Sequence, residues 1–343
     1  MKLESTPLVT VLMPCFNVER YVLTAIKSIQ NQSYRNLEII LIEDGSTDET
    51  KSIIEKIREE DIRIKILYNE HNLGLSKSLN KAIQHANGKY IARMDADDIS
   101  TPTRIEKQLH YLNLNPHISV LGTAAISMNE AGKLSIVKPI VYCESNTLSF
   151  SAYFTQPLFH GSILAKSGVM KRFKYDESSR AEDFELWLRM VHQGIKIANL
   201  KDELYFYRVN TEGYSRQNQE PQAKSHNNAS MKYLESKLNT KLGSGDVALI
   251  NNRPQESISF ITLKAGMVLF NSFFTNYENK DSEEIKRYYK RQKIDIYIQV
   301  VKKSNSLPIK IFGLLKLFYL ILTPNGFSYL KSKFQVRFQH KEE

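Results

Sequence analysis

Residues 89–98 read KYIARMDADD, an apolar strand-like run that ends in three carboxylates within four positions. Carboxylates this close repel one another unless a cation lies among them, so Asp95, Asp97 and Asp98 predict a divalent-metal and diphosphate site. The alternative is a solvated acidic turn in which Asp98 caps the next helix, because aspartate is common in such turns. The position of the run among its neighbours separates these two interpretations.

The run is the last of four strand-like segments that alternate with helical ones. The predicted strands are residues 8–13, 37–42, 62–68 and 89–94. The helices between them are predicted at 21–32, from a capping box at Ser46 and Glu49 through Ile57, and at 75–87 with Gly88 at its end. This alternation predicts an α/β fold, a mostly parallel sheet with helices on both faces.

Three polar turns follow the first, second and fourth of these strands: Pro14–Glu19, Glu43–Asp48 and Asp95–Asp98. Parallel strands end at the same edge of a sheet, and open α/β sheets bind their ligands at that edge. We therefore expect the three turns to form one site. They contain neither a Gly-x-Gly-x-x-Gly loop nor a Gly-x-x-x-x-Gly-Lys loop, so neither dinucleotide nor P-loop binding is supported.

The pattern is looser after residue 100. A helix is predicted to begin at Thr101-Pro102, and residues 118–175 look like further strands and loops. A clearer helix begins at Phe184, has apolar residues at i, i+3, i+4 and i+7, and ends at Gly194. Residues 215–230 are rich in Gln, Asn and Ser, which predicts a mobile loop or linker, and the remainder reads as mostly helical.

Length and charge indicate two parts, an α/β domain over 1–230 and a helical extension over 231–343. The net charge of +10 is uneven: residues 280–343 hold 14 Lys or Arg against 6 Asp or Glu, which leaves +2 for the rest of the chain. The two cysteines exclude a disulfide framework, and no apolar stretch of the kind a secretory signal needs follows Met1. We expect a cytosolic setting.

The basic end of the chain contains an apolar stretch, Ile311–Leu322, that Lys316 interrupts. Basic residues among aromatic and aliphatic ones suit an anionic membrane surface better than nucleic acid. The stretch is well below the ~20 residues that span a bilayer. It predicts either docking on a membrane surface or a buried core helix.

Five motifs in order resemble those of family 2 glycosyltransferases with the GT-A fold, close to enzymes that build bacterial exopolysaccharide, capsule and lipopolysaccharide. They are VLMPCFN at 11–17, IEDGSTD at 42–48, NLGLSKSLN at 72–80, YIARMDADD at 90–98 and EDFELWL at 182–188. The resemblance covers roughly residues 6–210 and does not extend into the basic end of the chain. It implies a transferase that uses a nucleotide-sugar donor.

The resemblance implies that the loop after the first strand, with Pro14, Phe16 and Glu19, binds the nucleotide of the donor. It places Phe16 near the base, usually uracil, and makes Asp44 the acceptor of the ring N–H. Glu43 stands where the family often has Asp, which keeps a carboxylate at that position.

The same resemblance implies that Asp95 lies by the ribose and that Asp97 ligates Mn²⁺ or Mg²⁺, which bridges the two phosphates. A hard cation neutralises the charge that gathers on the leaving diphosphate. Arg93 and Lys77 are candidates for pairing with phosphate oxygens, although an exposed Arg or Lys is more often simply solvated. Many relatives have Arg where this chain has Leu79, so that phosphate contact is not transferred.

On the acceptor side, the resemblance makes Asp183 the catalytic base, with Glu182 as its rival. A sugar hydroxyl must lose its proton as it attacks the anomeric carbon, and a carboxylate does that work. Asp183 is also an expected N-cap for the helix from Phe184. His160 lies where the family often has an acceptor-site histidine, and Trp187 is either a core residue or a residue that stacks on the acceptor.

These expectations together describe an inverting, metal-dependent transferase that moves one sugar from a UDP-sugar to a lipid-linked glycan in cell-surface polysaccharide synthesis. The Gln-x-x-Arg-Trp motif of processive synthases is absent, which favours one sugar per encounter. We expect peripheral binding to the inner face of the cytoplasmic membrane and no nucleic-acid partner. The alternatives are a sugar-phosphate nucleotidyltransferase and a non-catalytic sugar-nucleotide-binding protein, and the oligomeric state is left open.

Overall fold

The computed structural model describes residues 6–135, 142–209, 219–253, 257–323 and 329. The chain divides into two compact units, one of residues 1–145 with 158–217 and one of 146–157 with 218–343. In this division the helical unit includes the segment 146–157 and begins before residue 230.

The first unit contains an eight-stranded mixed sheet. Its strands are β1 (Val9–Cys15), β2 (Leu37–Glu43), β3 (Ile64–Tyr68), β4 (Tyr90–Arg93), β5 (Ile99–Ser100), β6 (Val120–Met128), β7 (Leu164–Lys166) and β8 (Ile197–Arg208). The strand order is β3-β2-β1-β4-β7-β6-β8-β5. The first four neighbours are parallel, as the sequence pattern predicts, whereas β7 pairs antiparallel with both β4 and β6. The α/β fold class is therefore confirmed.

Helices cover both faces of this sheet. They are α1 (Val22–Gln30), α2 (Thr50–Glu60), α3 (Leu75–His85), α4 (Arg104–Leu114), α6 (Ser167–Phe173) and α7 (Glu182–His192), with α5 (Ser145–Ser151) leading into the second unit. Buried residues of α1, α2 and α4 share one core cluster with the odd-numbered positions of β1. Residues alternate faces along a strand, so Leu12 and Ile40 point to the opposite face, where α3 contacts β1 and β2.

Several local predictions differ from the structure. Strand β1 continues through Pro14 to Cys15, and the region predicted as strands and loops over 118–175 also contains α5 and α6. Gly88 does not cap α3, because that helix ends at His85 with Ala86 as its C-cap. A Cβ at Gly88 would lie 2.5 Å from the Thr10 nitrogen, so glycine is needed there for close approach to β1.

The second unit is helical in its described part, as predicted. Besides α5 it contains α8 (Gln219–Leu238), α9 (Ser244–Ile250), α10 (Phe260–Thr275), α11 (Glu283–Lys303) and α12 (Leu307–Ile321). Its core is aromatic: the Phe150 ring lies 5.5 Å from that of Phe154 and 5.4 Å from that of Phe273. No described helix is both long and apolar enough to span a membrane.

The prediction of a linker over 215–230 is wrong for residues 219–230, which form the first part of α8. The polar composition is misleading because polar side chains of α8 are buried and hydrogen-bonded. Ser230 Oγ donates to the Tyr153 carbonyl, and Asn227 Nδ2 donates to the Arg253 carbonyl at 3.3 Å. A hydrophilic segment can thus be an internal helix when its polar groups find partners.

Candidate functional site

The three polar turns meet at one edge of the sheet. Strand β1 lies between β2 and β4 and is parallel to both, so the turns that follow these strands are neighbours. The first two turns are joined by hydrogen bonds: Thr47 N donates to Asn17 Oδ1 at 2.9 Å, and Glu49 N donates to Glu19 Oε2 at 2.8 Å. Glu19 thus binds the start of α2, whereas the Phe16 side chain is exposed at the end of β1.

Asp44 is buried at the end of β2 and organises the loop that leads into α3. Its Oδ1 accepts from Asn69 Nδ2 at 2.7 Å and from Leu73 N at 2.9 Å, and its Oδ2 accepts from Gly74 N at 3.1 Å. A carboxylate has about four acceptor positions, so one is left for the N–H of a base. Gly45 beside it has φ of 73°, a conformation that favours glycine.

The candidate phosphate-binding cations differ in burial. Lys77 is exposed in the first turn of α3 and forms no ion pair with the described residues, so it is free to meet a ligand. Leu79 in the same helix is fully buried and belongs to the core. Arg93 is buried at the end of β4 and forms an ion pair with Asp95. Burial opposes the charge of Arg93, but Asp95 raises the pKa of the guanidinium, so Arg93 remains a cation.

The three carboxylates of the turn after β4 have different roles. Asp98 is buried; its Oδ2 accepts from Tyr205 Oη and its Oδ1 from Arg208 N, both at 2.7 Å. The prediction that all three surround a cation is therefore wrong for Asp98, whose oxygens are bound by β8, and it does not cap a helix either. Only Asp95 and Asp97 are open to a ligand.

Asp97 has the properties of a carboxylate that lacks its counter-ion. Its side chain makes no hydrogen bond to another residue in the described part of the chain, and burial and the charge of Asp95 raise its pKa to about 6. A cation would relieve that repulsion. The described residues contain no group of three or more His, Cys, Asp or Glu side chains arranged to hold a metal ion. A metal would therefore need oxygens from a ligand besides Asp97, and a diphosphate has them.

A second carboxylate pair lies in the first turn of α7. Burial and the Asp183 charge raise the pKa of Glu182 to about 7, and burial raises the pKa of Asp183. Asp183 Oδ1 accepts from Phe184 N at 2.7 Å. The helix begins one residue before Asp183, with Ala181 as its N-cap, so the expectation that Asp183 is the N-cap is wrong.

His160 and Trp187 are both buried and contact each other. His160 Nε2 lies 2.7 Å from Tyr175 Oη, and the His160 ring meets the Trp187 ring edge-on at 5.9 Å. Burial and the charge of Arg93 lower the pKa of His160, so its imidazole is neutral. Trp187 is 0% exposed and cannot stack on a sugar in this conformation, which corrects the acceptor assignment in favour of a core residue.

The two carboxylate pairs act on each other. The negative charge of Asp95 raises the pKa of Glu182 and of Asp183, and Arg93 lowers both, although burial is the larger cause of each shift. Tyr175 lies among these groups, since burial raises its pKa and the charges of Arg93 and Asp183 also act on it. The site thus brings two interacting carboxylate pairs together, Asp95 with Asp97 and Glu182 with Asp183.

Sequence reasoning missed several residues that build this site. The Asn80 side chain holds the backbone of Tyr175 through two hydrogen bonds. Its Oδ1 accepts from the Tyr175 N–H at 2.8 Å, and its Nδ2 donates to the Tyr175 carbonyl at 3.0 Å. Asn80 is the last residue of the third motif, NLGLSKSLN at 72–80, so the sequence marks its position. The sequence does not show that Tyr175 is its partner. Tyr205 and Arg208 lie in no motif, and their hydrogen bonds to Asp98 become visible only in the structure.

The comparisons agree with this geometry. The model of the family described as glycosyl transferase family 2 matches residues 10–175. The O-antigen biosynthesis glycosyltransferase WbnJ of Escherichia coli is 32% identical over 213 residues, which cover 61% of this chain and 82% of WbnJ.

Solved structures share the fold at low identity. TarS 1–349 of S. aureus in complex with UDP-GlcNAc has a TM-score of 0.55 and 19% identity, with 95% of this chain and 91% of that one covered. The mannosyltransferase PcManGT of Pyrobaculum calidifontis, in complex with GDP-Man and Mn²⁺, has a TM-score of 0.54 and 16% identity over 96% of this chain and 86% of that one. The matched family model, the identity to WbnJ and the carboxylate pairs at the sheet edge agree, and the chain belongs to glycosyltransferase family 2.

Proposed function

We propose that this glycosyltransferase moves one sugar, with inversion, from a UDP-sugar to a lipid-linked glycan during cell-surface polysaccharide synthesis. The observation that carries the proposal is the placement of two carboxylate pairs, Asp95 with Asp97 and Glu182 with Asp183, near enough for their charges to interact. With a divalent cation the first pair would suit a nucleotide diphosphate, and the second pair suits the proton of an acceptor hydroxyl. TarS binds UDP-GlcNAc and WbnJ acts in O-antigen synthesis, which supports the donor and acceptor classes.

In this mechanism Phe16 and Asp44 bind the base, and Asp95 binds the ribose. Asp97 would hold Mn²⁺ or Mg²⁺, and the metal supplies neutralisation of the diphosphate charge. Lys77 is the free cation near the start of α3 that suits a phosphate oxygen, while Arg93 keeps Asp95 in place through its ion pair. The bound Mn²⁺ of PcManGT supports a metal in this fold.

The acceptor hydroxyl loses its proton to Asp183 as its oxygen bonds to the anomeric carbon. The bond from that carbon to the diphosphate breaks at the same time, and the bonding electrons leave with the nucleotide. Attack from the face opposite the leaving group inverts the anomeric centre. Neutral His160 and Tyr175 are both buried, and His160 Nε2 lies 2.7 Å from Tyr175 Oη, so their polar atoms pair with each other.

Family membership favours this reaction over a sugar-phosphate nucleotidyltransferase, and donor binding is the direct test. Saturating UDP-sugar with Mn²⁺ should raise the melting temperature by a few degrees, because ligand at 100 times its Kd stabilises by about 2.7 kcal/mol. The panel is UDP-, GDP- and TDP-sugars, each with and without Mn²⁺. A larger shift with GDP-sugars would contradict the uracil assignment, and no shift with any sugar nucleotide would contradict the proposed donor site. A shift with a UDP-sugar but no transfer to any acceptor would favour the non-catalytic alternative.

We further propose that α12 docks on the inner face of the cytoplasmic membrane. Gly313 is the only buried residue among those of α12, and a Cβ there would lie 3.0 Å from Val300 Cγ1, so α12 packs closely on α11 at that point. Large apolar side chains occupy its exposed sides, among them Leu315 at 65% and Phe318 at 63% exposure. A buried core helix, the alternative from the sequence, does not expose such residues.

Charge selects an anionic membrane as the partner of α12. Lys316 lies within the exposed apolar surface, and Lys302 and Lys303 end the preceding helix α11. Each basic residue near an anionic bilayer contributes about 1 kcal/mol of attraction. A helix of this length is about 22 Å long, shorter than the ~30 Å hydrocarbon core, so it suits the interface rather than a span.

A double variant that replaces two exposed apolar side chains of α12 with carboxylates tests this surface. Leu315→Glu with Phe318→Glu should lower partitioning onto phosphatidylglycerol-containing vesicles by about 100-fold or more, because each buried side chain contributes about 1.5–3 kcal/mol. The matched control is Ile62→Glu with Leu114→Glu, which replaces two exposed apolar residues of the first unit. Co-sedimentation should also weaken with salt. Equal binding by the two double variants would rule out α12 as the docking element.

A further inference from the structure

The turn that carries Asp95 and Asp97 is held from one side by strand β8. Strand β5 follows the turn directly and pairs antiparallel with β8, where Ile99 lies opposite Phe206 and Ser100 opposite Tyr205. The turn therefore ends on the sheet. Its remaining anchor points are side-chain and backbone hydrogen bonds to two residues of β8, Tyr205 and Arg208.

Tyr205 bridges two members of the turn through one hydroxyl. The hydroxyl donates to Asp98 Oδ2 at 2.7 Å and accepts from the Asp95 N–H at 3.1 Å. It therefore fixes the backbone of Asp95 from behind, while the carboxylate of Asp95 points elsewhere, to Arg93. A single hydroxyl thus determines where two acidic residues of the turn lie relative to each other.

The Tyr205 ring is enclosed, so its hydroxyl has one position. The ring is fully buried, the Arg104 guanidinium lies 5.4 Å from its centroid and the Phe159 ring lies 5.6 Å away. A Cβ at Gly161 would clash with the hydroxyl oxygen, so glycine at this position makes room for it. Arg104 Nη1 also donates to the Gly161 carbonyl at 2.8 Å, which holds the backbone at Gly161 next to the Tyr205 hydroxyl.

Arg208 supplies the other anchor points. Its backbone N–H donates to Asp98 Oδ1 at 2.7 Å, and its Nε donates to the Asp97 carbonyl at 2.9 Å. Its guanidinium lies 4.3 Å from the Tyr21 ring centroid, and its Nη1 donates to the carbonyls of Asn129 and Glu130. The backbone at Asp95 and Asp97 and the side chain of Asp98 are thus all bound by β8.

We infer that Tyr205 and Asp98 are positioning residues that set the placement of the Asp95 and Asp97 carboxylates for the donor diphosphate. The inference rests on the proposed donor site. Neither residue touches the donor: Asp98 uses both oxygens within the protein, and the Tyr205 hydroxyl is buried. Their effect is on where the two ligand-facing carboxylates stand, since groups behind metal and phosphate ligands commonly orient them.

The test is Tyr205→Phe, which removes one oxygen and keeps the ring. The Kd of UDP in the presence of Mn²⁺, measured by titration calorimetry, should rise by about 10-fold or more, the usual loss for a group behind a metal ligand. The donor KM should rise similarly, with kcat at saturating donor within about twofold of wild type. Asp98→Asn should also weaken UDP binding, because the amide replaces the carboxylate that accepts from the Tyr205 hydroxyl and the Arg208 N–H.

Tyr207→Phe is the matched control, since Tyr207 is on the same strand and packs on the same Phe159 ring at 4.8 Å. Its UDP affinity should equal that of the wild type. If Tyr205→Phe lowers the melting temperature but leaves the Kd of UDP unchanged, the residue is merely structural and the inference is overturned. Asp97→Asn, measured in parallel, separates the failure of the proposed metal site from the failure of this inference. If UDP binding by Asp97→Asn keeps its dependence on Mn²⁺, Asp97 is not the metal ligand. The Tyr205→Phe result still shows whether Tyr205 affects donor binding.

Discussion

Asp183→Asn should lower the rate of sugar transfer by about 100-fold or more, because a general base typically contributes 10²–10⁴-fold. UDP affinity should stay near that of the wild type, since the donor site is built from Asp44, Asp95 and Asp97 on other elements. The fold should also persist, because an amide oxygen can still accept from Phe184 N, the bond that Asp183 Oδ1 makes at 2.7 Å. Turnover under saturating donor and calorimetric UDP affinity are the two measurements.

Glu182→Gln is the comparison that assigns the base. It removes the neighbouring carboxylate in the same turn of α7 and keeps its size. Transfer by this variant should remain within about tenfold of wild type, so the loss should be specific to Asp183. Near-normal transfer by Asp183→Asn with a collapse in Glu182→Gln would assign the base to Glu182. Loss of UDP binding in Asp183→Asn would mean that the residue belongs to the donor site.

The pH dependence of transfer gives an independent readout of the same pair. Burial and Asp183 raise the pKa of Glu182 to about 7, and burial raises the pKa of Asp183, so the pair takes up a proton as the pH falls towards acid. A base works only when ionised, so transfer should decline as the pH falls below neutrality. Glu182→Gln removes one of two like charges and should move that decline to lower pH, because the remaining carboxylate then ionises more easily.

Asp97→Asn should weaken UDP binding in the presence of Mn²⁺ by about 100-fold or more. The carboxylate of Asp97 makes no hydrogen bond to another described residue. Burial and Asp95 raise its pKa more than the charges of Arg93 and Arg208 lower it, which indicates a charge that a cation would compensate. An amide carries no negative charge to bind the metal. A metal bound at a diphosphate contributes several kcal/mol of binding free energy, and each ~1.4 kcal/mol changes the Kd tenfold. Binding of UDP without Mn²⁺ should change little, because base and ribose contacts remain.

Calorimetric titration of UDP with and without Mn²⁺ measures this effect. Asp202→Asn is the matched control, because it removes one exposed carboxylate of the same unit, which pairs with Lys107. It should keep the metal dependence of the wild type. Identical metal dependence in Asp97→Asn and Asp202→Asn would contradict the assignment of Asp97 as the metal ligand.

The parallel half of the sheet could be predicted because its signals are local. The nearly apolar run at 37–42 needs burial on both faces, and the strand-like runs join through helices of period 3.6. Once strands are parallel, the turns after them must share one edge. The sequence alone therefore predicts that the turns carrying Phe16, Asp44 and Asp97 lie close together.

The antiparallel half was not predictable in this way. Strand β7 has three residues, and β5 has two, which are too short for a periodic signal. Their place depends on pairing with β4, β6 and β8, at a distance of many residues along the chain. The same holds for α5, which packs its Phe150 among aromatic rings of helices that begin more than a hundred residues later.

By itself the sequence determined the α/β class, the edge of the sheet where the ligand turns lie, and the five motifs that mark the family, since each depends on residues near one another in the chain. The tertiary structure decided the roles within those motifs. It turned Asp98 towards Tyr205 and Arg208, buried Trp187, paired His160 with Tyr175 and exposed the apolar sides of α12. Whether a side chain faces a ligand, a partner or solvent depends on residues that are distant in sequence, and only packing brings those residues together.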